Sequence, residues 1–212
     1  GAPTVTEHLF LPEGQNGRDT QGFLMNRVRT SGVQHTGIVA GGHTSLGQFT
    51  DHIANGATTA SIECWFRSYG SQALSGGYAT FVGNRASYNM LLGGNSTAAT
   101  VSCVYQLTSA GSINDLDSTT SCFDENWHHI AFTFGSADGV AKLYIDGTLE
   151  DTRTDAGDTL KMNTGLIYTG GNSAQGDRYF SGDVDDVAIY TTALTAAQVT
   201  RNYKAGKRRH QN

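Results

Sequence analysis

Three aspartates near the C-terminal end form the densest acidic group of the chain. They are Asp183, Asp185 and Asp186, in the segment Phe180-Ser-Gly-Asp-Val-Asp-Asp-Val-Ala-Ile-Tyr190. Alternate residues of a strand share a face, so Asp185 is predicted to lie with the core residues Val187 and Ile189. A carboxylate there needs partners, because an unpaired buried charge is costly. Two interpretations stay open: Asp185 accepts backbone N–H groups and fixes a loop, or it binds calcium with Asp183 as second ligand.

Two adjacent histidines follow Trp127 in a predicted strand. Neighbouring strand residues point to opposite faces, so His128 and His129 cannot bind one metal ion together. His128 shares a face with Ile130 and Phe132 and is predicted to be a hydrogen-bonded core residue, whereas His129 lies on the face of Trp127. No pair among the seven histidines has the spacing of a zinc site.

Aromatic residues are the main candidates for ligand contact. Trp65, Trp127 and Tyr144 are predicted on strand faces opposite the core. Sugar rings stack on indole and phenol rings, so exposure of these side chains would favour glycan binding; the alternative is that they pack beneath a loop. Further predicted ligand contacts lie in rim loops or at strand ends: Asn84, Arg85, Tyr88, Asn95 and Arg178.

Strand periodicity places these residues on an all-β framework. Alternating apolar residues predict strands at 61–67, 78–83, 87–92, 99–107, 127–134, 140–145, 148–154 and 184–190, with a polar loop at 108–121. Asp146-Gly147 predicts a two-residue hairpin turn, since both positions require positive φ. Thr195 and Gln198 have capping-box spacing, and Gly206 is predicted to stop a short C-terminal helical turn. Residues 207–212 are then a basic tail.

Composition excludes several classes of protein. The chain has 212 residues, of which 38% are hydrophobic, 16% are charged and 27 are Gly, which suits a globular protein of strands and turns. The formal net charge of -5 argues against nucleic acid as a partner. No apolar run approaches the roughly 20 residues of a membrane span. Three cysteines do not make a disulfide scaffold: Cys103 and Cys122 either close a loop or all three are buried thiols.

Several segments together resemble one family, the laminin-G-like, concanavalin A-like lectin/glucanase jelly rolls of bacterial or viral type. They are Ala60-Ser-Ile-Glu-Cys-Trp-Phe66, Trp127-His-His-Ile-Ala131, Leu143-Tyr-Ile-Asp-Gly147 and the closing segment from Phe180 to Tyr190 followed by Ala193-Leu-Thr195. The resemblance covers residues 35–206, and residues 1–34 are assigned as an arm with the first strands of the same domain. It implies a two-sheet antiparallel β-sandwich whose ligand surface is a sheet face or the rim loops, often with one calcium ion.

The resemblance also bears on catalysis and partners. Jelly-roll glycosidases carry a Glu-x-Asp-x-x-Glu strand, which is absent here, so we expect no enzyme. The first hypothesis is a non-catalytic module that recognises a glycan or cell-surface polymer, with calcium as the cofactor that these residues would suit. The alternative is an assembly protein of a virion or phage particle that docks on a capsid or scaffold protein. Polysaccharide cleavage ranks third. Either of the first two roles implies an extracellular or virion-surface location, and a homo-oligomer is compatible with both.

Overall fold

The computed structural model describes residues 44–69, 78–84, 90–95, 99–109, 113–135, 139–155, 157–171, 180 and 182–210. Two early strands and a helical turn are β1 (Thr44–Gln48), α1 (Phe49–His52) and β2 (Thr59–Ser68). The next strands are β3 (Tyr78–Asn84), β4 (Met90–Asn95), β5 (Thr100–Gln106), β6 (Ile113–Asp117), β7 (Trp127–Gly135), β8 (Val140–Ile145) and β9 (Thr148–Thr154). The last elements are β10 (Leu166–Thr169), β11 (Gly182–Tyr190) and α2 (Ala196–His210).

The strands form two antiparallel sheets. One has six strands in the order β1-β10-β3-β4-β5-β6, and the other has five in the order β11-β2-β7-β8-β9. Aromatic rings from the two inner faces meet in the core: Phe66 of β2 stacks on Phe81 of β3 with centroids 4.1 Å apart, and Tyr105 of β5 contacts Phe132 of β7 at 5.1 Å. The predicted β-sandwich is therefore confirmed, since both sheets bury one face against the other.

Two local predictions about turns and caps are confirmed. Asp146 and Gly147 join β8 to β9 with φ of 51° and 77°, as a tight two-residue hairpin requires. At the start of α2 the Thr195 hydroxyl accepts a hydrogen bond from the Gln198 N–H, and the Gln198 side chain accepts one from the Thr195 N–H. These reciprocal bonds satisfy backbone donors that the first helical turn leaves unpaired.

The prediction that the helix stops at Gly206 is wrong. Helix α2 has 15 residues and continues through Gly206 to His210, so four of the residues predicted as a basic tail are helical. Gly206 is needed for close packing, because a Cβ there would lie 2.3 Å from Trp65 Nε1. Glycine at this position is thus explained by contact with the sheet and does not mark a helix end.

Three strands are not predicted by the sequence: β1, β6 and β10. Strand β6 lies within the predicted polar loop at 108–121. In β6 only Asn114 and Leu116 are buried, while Ile113, Asp115 and Asp117 are exposed. A five-residue edge strand with one buried apolar side chain carries too little periodicity to be recognised locally. The three cysteines are buried free thiols, as one of the two predictions had it, and Cys103 and Cys122 do not form a disulfide in this structure.

A β-bulge overturns the predicted orientation of Asp185. Strand β11 pairs with β2 in one register up to Asp185, opposite Trp65, and in a shifted register from Ala188, opposite Glu63. Asp186 supplies the extra residue, with φ of 48°. Because a bulge inverts the alternation of faces, Val184 and Val187 both face the core and Asp185 lies on the outer face. Simple alternation through the strand therefore gave the wrong face for Asp185.

Candidate functional site beneath the C-terminal helix

Helix α2 packs on the outer face of the five-stranded sheet. Its apolar residue Val199 joins a second buried cluster with Leu194 and with Ala131, Tyr144, Ala188 and Tyr190 of the sheet. Further along, Tyr203 stacks on Trp65 with centroids 5.7 Å apart and planes 17° apart. The helix therefore covers this sheet face, and a second, smaller core lies between the helix and the sheet.

This packing corrects two of the predicted ligand contacts. Trp65 and Tyr144 do project away from the main core, as predicted, but each is only 2% exposed. Helix α2 covers the indole of Trp65, and Tyr144 belongs to the cluster under the same helix. Neither ring offers a free face to a sugar in this structure. The alternative prediction, that these rings pack beneath a loop, is closer to the structure, except that helix α2 covers them and not a loop.

The last helical residue is held between two indole rings. The imidazole of His210 lies 4.5 Å from the ring centroid of Trp65 and 4.6 Å from that of Trp127. Its side chain is 5% exposed, and its Nε2 atom lies 3.5 Å from Asp186 Oδ2 and 4.0 Å from Asp185 Oδ2. The end of α2 is thus anchored between aromatic rings and beside two carboxylates.

The structure separates the three aspartates into different roles. Both oxygens of Asp183 are engaged: Oδ2 accepts from Arg67 Nη2 at 2.5 Å and Oδ1 accepts from the Tyr69 hydroxyl at 2.6 Å. Asp185 Oδ1 accepts the backbone N–H of Asp186 at 2.7 Å. Asp186 is buried, and its Oδ2 accepts from Arg209. A calcium ion bound by Asp183 would therefore share its oxygens with Arg67 and Tyr69.

A polar cavity lies next to this cluster. It has a volume of about 140 Å³ and is lined by Glu63, Trp65, His129, Asp186, Ala188, Tyr190, Asn202 and Arg209. Glu63 Oε1 accepts from the Tyr190 hydroxyl at 2.7 Å and from Asn202 Nδ2 at 2.9 Å, while His129 Nε2 lies 3.5 Å from Oε2. Burial alone would raise the pKa of Glu63. Hydrogen bonds from His129, Tyr190 and Asn202, together with the charge of His129, outweigh burial and lower this pKa below its ordinary value.

Partly exposed polar and aromatic side chains gather at one end of the same sheet. Arg67 near the end of β2 pairs with Trp127, the first residue of β7, and with Asp183 at the start of β11. The Arg67 guanidinium lies over the Trp127 ring at 5.1 Å and over the Tyr69 ring at 5.7 Å, and its side chain is 37% exposed. We call Arg67, Tyr69 and Trp127 the rim patch. Asp183 holds the guanidinium in place, so the patch is preorganised.

His128 is a hydrogen-bonded residue on the core side of β7, as predicted. Its Nδ1 lies 2.9 Å from Asp146 Oδ2 and its Nε2 lies 3.0 Å from Asp124 Oδ1. Burial alone would lower the pKa of His128, but the hydrogen bonds to Asp146 and Asp124 raise it above the ordinary value. Both ring nitrogens face carboxylates, which fits an imidazolium donating two hydrogen bonds.

Two other predicted rim contacts, Asn84 and Asn95, belong to strands of the six-stranded sheet, whereas the rim patch lies on the five-stranded sheet. Asn84 is the last residue of β3 and Asn95 the last of β4. Arg85, Tyr88 and Arg178 lie outside the described residues. Sequence reasoning missed Asn202, Arg209 and His210 as site residues, although Val199, Asn202, Gly206 and His210 recur at helical spacing. This spacing indicates one face of a helix, and the structure shows that this face packs on the sheet.

Comparison with known proteins agrees with the fold. The sequence model of a laminin G family, described as the concanavalin A-like lectin/glucanases superfamily, matches residues 41–200. The search of curated protein sequences found no match. None of the helices within the described residues is long and apolar enough to cross a membrane.

Solved structures share the fold at low sequence identity. The binding domain of Paraclostridial Mosquitocidal Protein 1 aligns with a TM-score of 0.62 and 15% identity over 84% of this chain and 43% of that chain. A putative carbohydrate binding protein from Bacteroides ovatus aligns at 0.58 and 15% identity, over 75% and 44%. The botulinum neurotoxin serotype D binding domain aligns at 0.51 and 17% identity, over 70% and 37%. The chain thus spans less than half the length of each of these proteins.

Proposed function

We propose that this chain, which belongs to the concanavalin A-like lectin/glucanases superfamily, is a non-catalytic module that binds a glycan through the rim patch. The observation that carries this proposal is the partly exposed side chain of Trp127, with the partly exposed guanidinium of Arg67 lying over its ring at 5.1 Å. The exposed part of the indole offers apolar contact to a sugar, and a fixed guanidinium donates hydrogen bonds to its hydroxyls. Similarity to a putative carbohydrate binding protein and to toxin binding domains supports this proposal by analogy.

The environment of Glu63 and Glu150 favours binding over catalysis. Glycoside hydrolysis needs two carboxyl groups that flank the scissile bond. Glu63 is buried and bonded to Tyr190 and Asn202, and both oxygens of Glu150 accept from Thr119 and Thr120. Each of these carboxylates has a structural role where it stands. Calcium at the rim remains part of the proposal, as does a location outside the cell or on a virion surface.

A glycan array probed with the purified chain, in calcium and again in EDTA, tests the proposal. We expect saturable binding to a defined set of glycans, lost in Trp127→Ala and weakened in Arg67→Ala. Leu149→Ala is the matched control, since Leu149 is 48% exposed on the edge strand β9, away from the rim patch. Loss of binding in EDTA that added calcium, and not zinc, restores would support a calcium requirement. Absence of sugar binding in both buffers would overturn the proposal and favour docking on a capsid or scaffold protein.

A further inference from the structure

The end of helix α2 and the bulge of β11 bring a nitrogen donor and two carboxylates together. The ligand atoms of Asp185, Asp186 and His210 all lie within 4.8 Å of one another. We propose that these three residues form a binding site for a divalent transition-metal ion such as Zn²⁺, which clamps the end of α2 to the sheet. This site differs from the calcium pair Asp183 and Asp185 expected from the sequence, both in its residues and in its donor set.

The burial of His210 is the first argument for a ligand here. Its side chain is 95% buried, and Nε2 makes no hydrogen bond to any residue that the structure describes. Burying a polar nitrogen without a hydrogen bond is costly. The rings of Trp65 and Trp127 fix the imidazole so that Nε2 faces the two carboxylates. A metal ion placed between them would satisfy this nitrogen.

The distances suit a small ion. Zinc binds imidazole nitrogen and carboxylate oxygen at about 2.1 Å, so two ligands at a tetrahedral angle are about 3.4 Å apart. His210 Nε2 lies 3.5 Å from Asp186 Oδ2, and 4.0 Å from Asp185 Oδ2, which requires only a small side-chain approach. The hydrogen bond from the Asp186 N–H to Asp185 Oδ1 fixes that carboxylate with its other oxygen towards His210. Such orientation of ligands by neighbouring groups is usual at metal sites.

The donor set selects the class of metal. One imidazole nitrogen with two carboxylates suits zinc and its first-row neighbours. Calcium prefers six to eight oxygen ligands, which these residues do not supply. Three protein ligands leave room for water to complete a tetrahedral shell.

Arg209 is the internal competitor for this site. Its guanidinium binds Asp186 Oδ2, the oxygen nearest to His210, and neutralises it when no metal is bound. The Arg209 side chain is 36% exposed, so it has access to solvent when a metal ion takes its place. Removal of this competing cation is therefore expected to raise metal affinity, whereas removal of a ligand lowers it.

The two tryptophans of the chain provide the readout, because both pack against His210. Full-length protein without a histidine tag is titrated with Zn²⁺, Co²⁺ or Ca²⁺ while intrinsic fluorescence is followed. We expect one equivalent of Zn²⁺ or Co²⁺ to bind saturably, with quenching by Co²⁺, and we expect Ca²⁺ to leave this binding unchanged. Asp185→Asn and His210→Gln should each weaken binding about tenfold or more, and Arg209→Gln should strengthen it. His52→Gln, outside the site, should bind as the wild type does.

Thermal unfolding separates ligand loss from misfolding. Zn²⁺ should raise the melting temperature of the wild type, since an ion that binds only the folded state stabilises it. Asp185→Asn keeps the packing of His210 between the indole rings, so a folded Asp185→Asn variant that no longer responds to Zn²⁺ supports the site. Unchanged affinity for Zn²⁺ in Asp185→Asn or His210→Gln, displacement of Zn²⁺ by equimolar Ca²⁺, or no saturable response to Zn²⁺ in the wild type overturns the proposal.

Discussion

Gly206 lies directly against the indole of Trp65: a Cβ at position 206 would come within 2.3 Å of Trp65 Nε1 and 2.6 Å of Cε2. This contact sets how closely α2 approaches the five-stranded sheet. It also fixes the part of the helix that carries Arg209 and His210 to the aspartates of β11. The assembly of the candidate metal site therefore depends on a residue that supplies none of its ligand atoms.

Gly206→Ala should destabilise the protein although alanine favours helix by about 1 kcal/mol. Overpacking costs about 1–3 kcal/mol, and here the indole cannot move freely between Tyr203 and His210. We expect a net loss of about 1 kcal/mol or more in the free energy of unfolding, measured by urea denaturation. Lys204→Ala, at an exposed position of the same helix, is the control and should change stability by no more than about 0.5 kcal/mol. A stabilised Gly206→Ala variant would contradict the close approach.

Asp186 should matter more for stability than Asp185. Asp186 is buried, bonded to Arg209 and held at φ of 48°, which an alanine adopts at a cost of about 1 kcal/mol. Asp186→Ala is expected to lower the free energy of unfolding by about 2 kcal/mol. This figure allows for solvent screening of the ion pair, because the Arg209 side chain is 36% exposed. Asp185→Ala removes the hydrogen bond from the Asp186 N–H and should lose about 1 kcal/mol. Asp186→Asn is the control for charge, because asparagine tolerates positive φ. Equal losses of unfolding free energy in Asp186→Ala and Asp185→Ala would refute this ranking.

His128 should make stability depend on pH near neutrality. Its pKa is raised in the folded protein because Asp146 and Asp124 outweigh burial, so the folded state binds the proton more tightly than the unfolded state. The stabilisation is complete below the unfolded pKa of about 6.5 and is lost as pH rises through the folded pKa. Urea denaturation from pH 5.5 to 9 should show this decline, and His128→Gln should flatten it. His52→Gln should retain the slope; a slope that survives in His128→Gln would assign it elsewhere.

Glu63 should contribute stability in the opposite pH range. Its pKa is lowered because its bonds to His129, Tyr190 and Asn202 outweigh burial, so the contribution is present above the unfolded pKa of about 4.3 and is lost as pH falls through the folded value. Glu63→Gln should lower the free energy of unfolding at pH 7 by about 1–3 kcal/mol and reduce its decline below pH 5. Glu125→Gln, at an exposed glutamate, is the control. An unchanged acid limb in Glu63→Gln would exclude this role.

Local sequence patterns determined much of the fold. Alternation identified β2 and β7 because the inner face of each is mostly apolar, and the hairpin at Asp146-Gly147 followed from the backbone angles that those residues accept. The cap at Thr195 and Gln198 was likewise local, since its bonds join residues three apart. The order in which these segments follow one another along the chain was sufficient to indicate the family.

Tertiary structure alone decided the site. The face of Asp185 depends on the bulge at Asp186, which exists only in the register between β11 and β2. The burial of Trp65 depends on a helix that follows it by more than 130 residues. From the sequence alone Gly206 indicates a helix end, and only its contact with Trp65 explains the glycine. Alternation, caps and turns arise from neighbouring residues and can be read along the chain. The pairing of His210 with Asp185 and Asp186 arises from packing between distant elements, whose energy is not encoded in any local pattern.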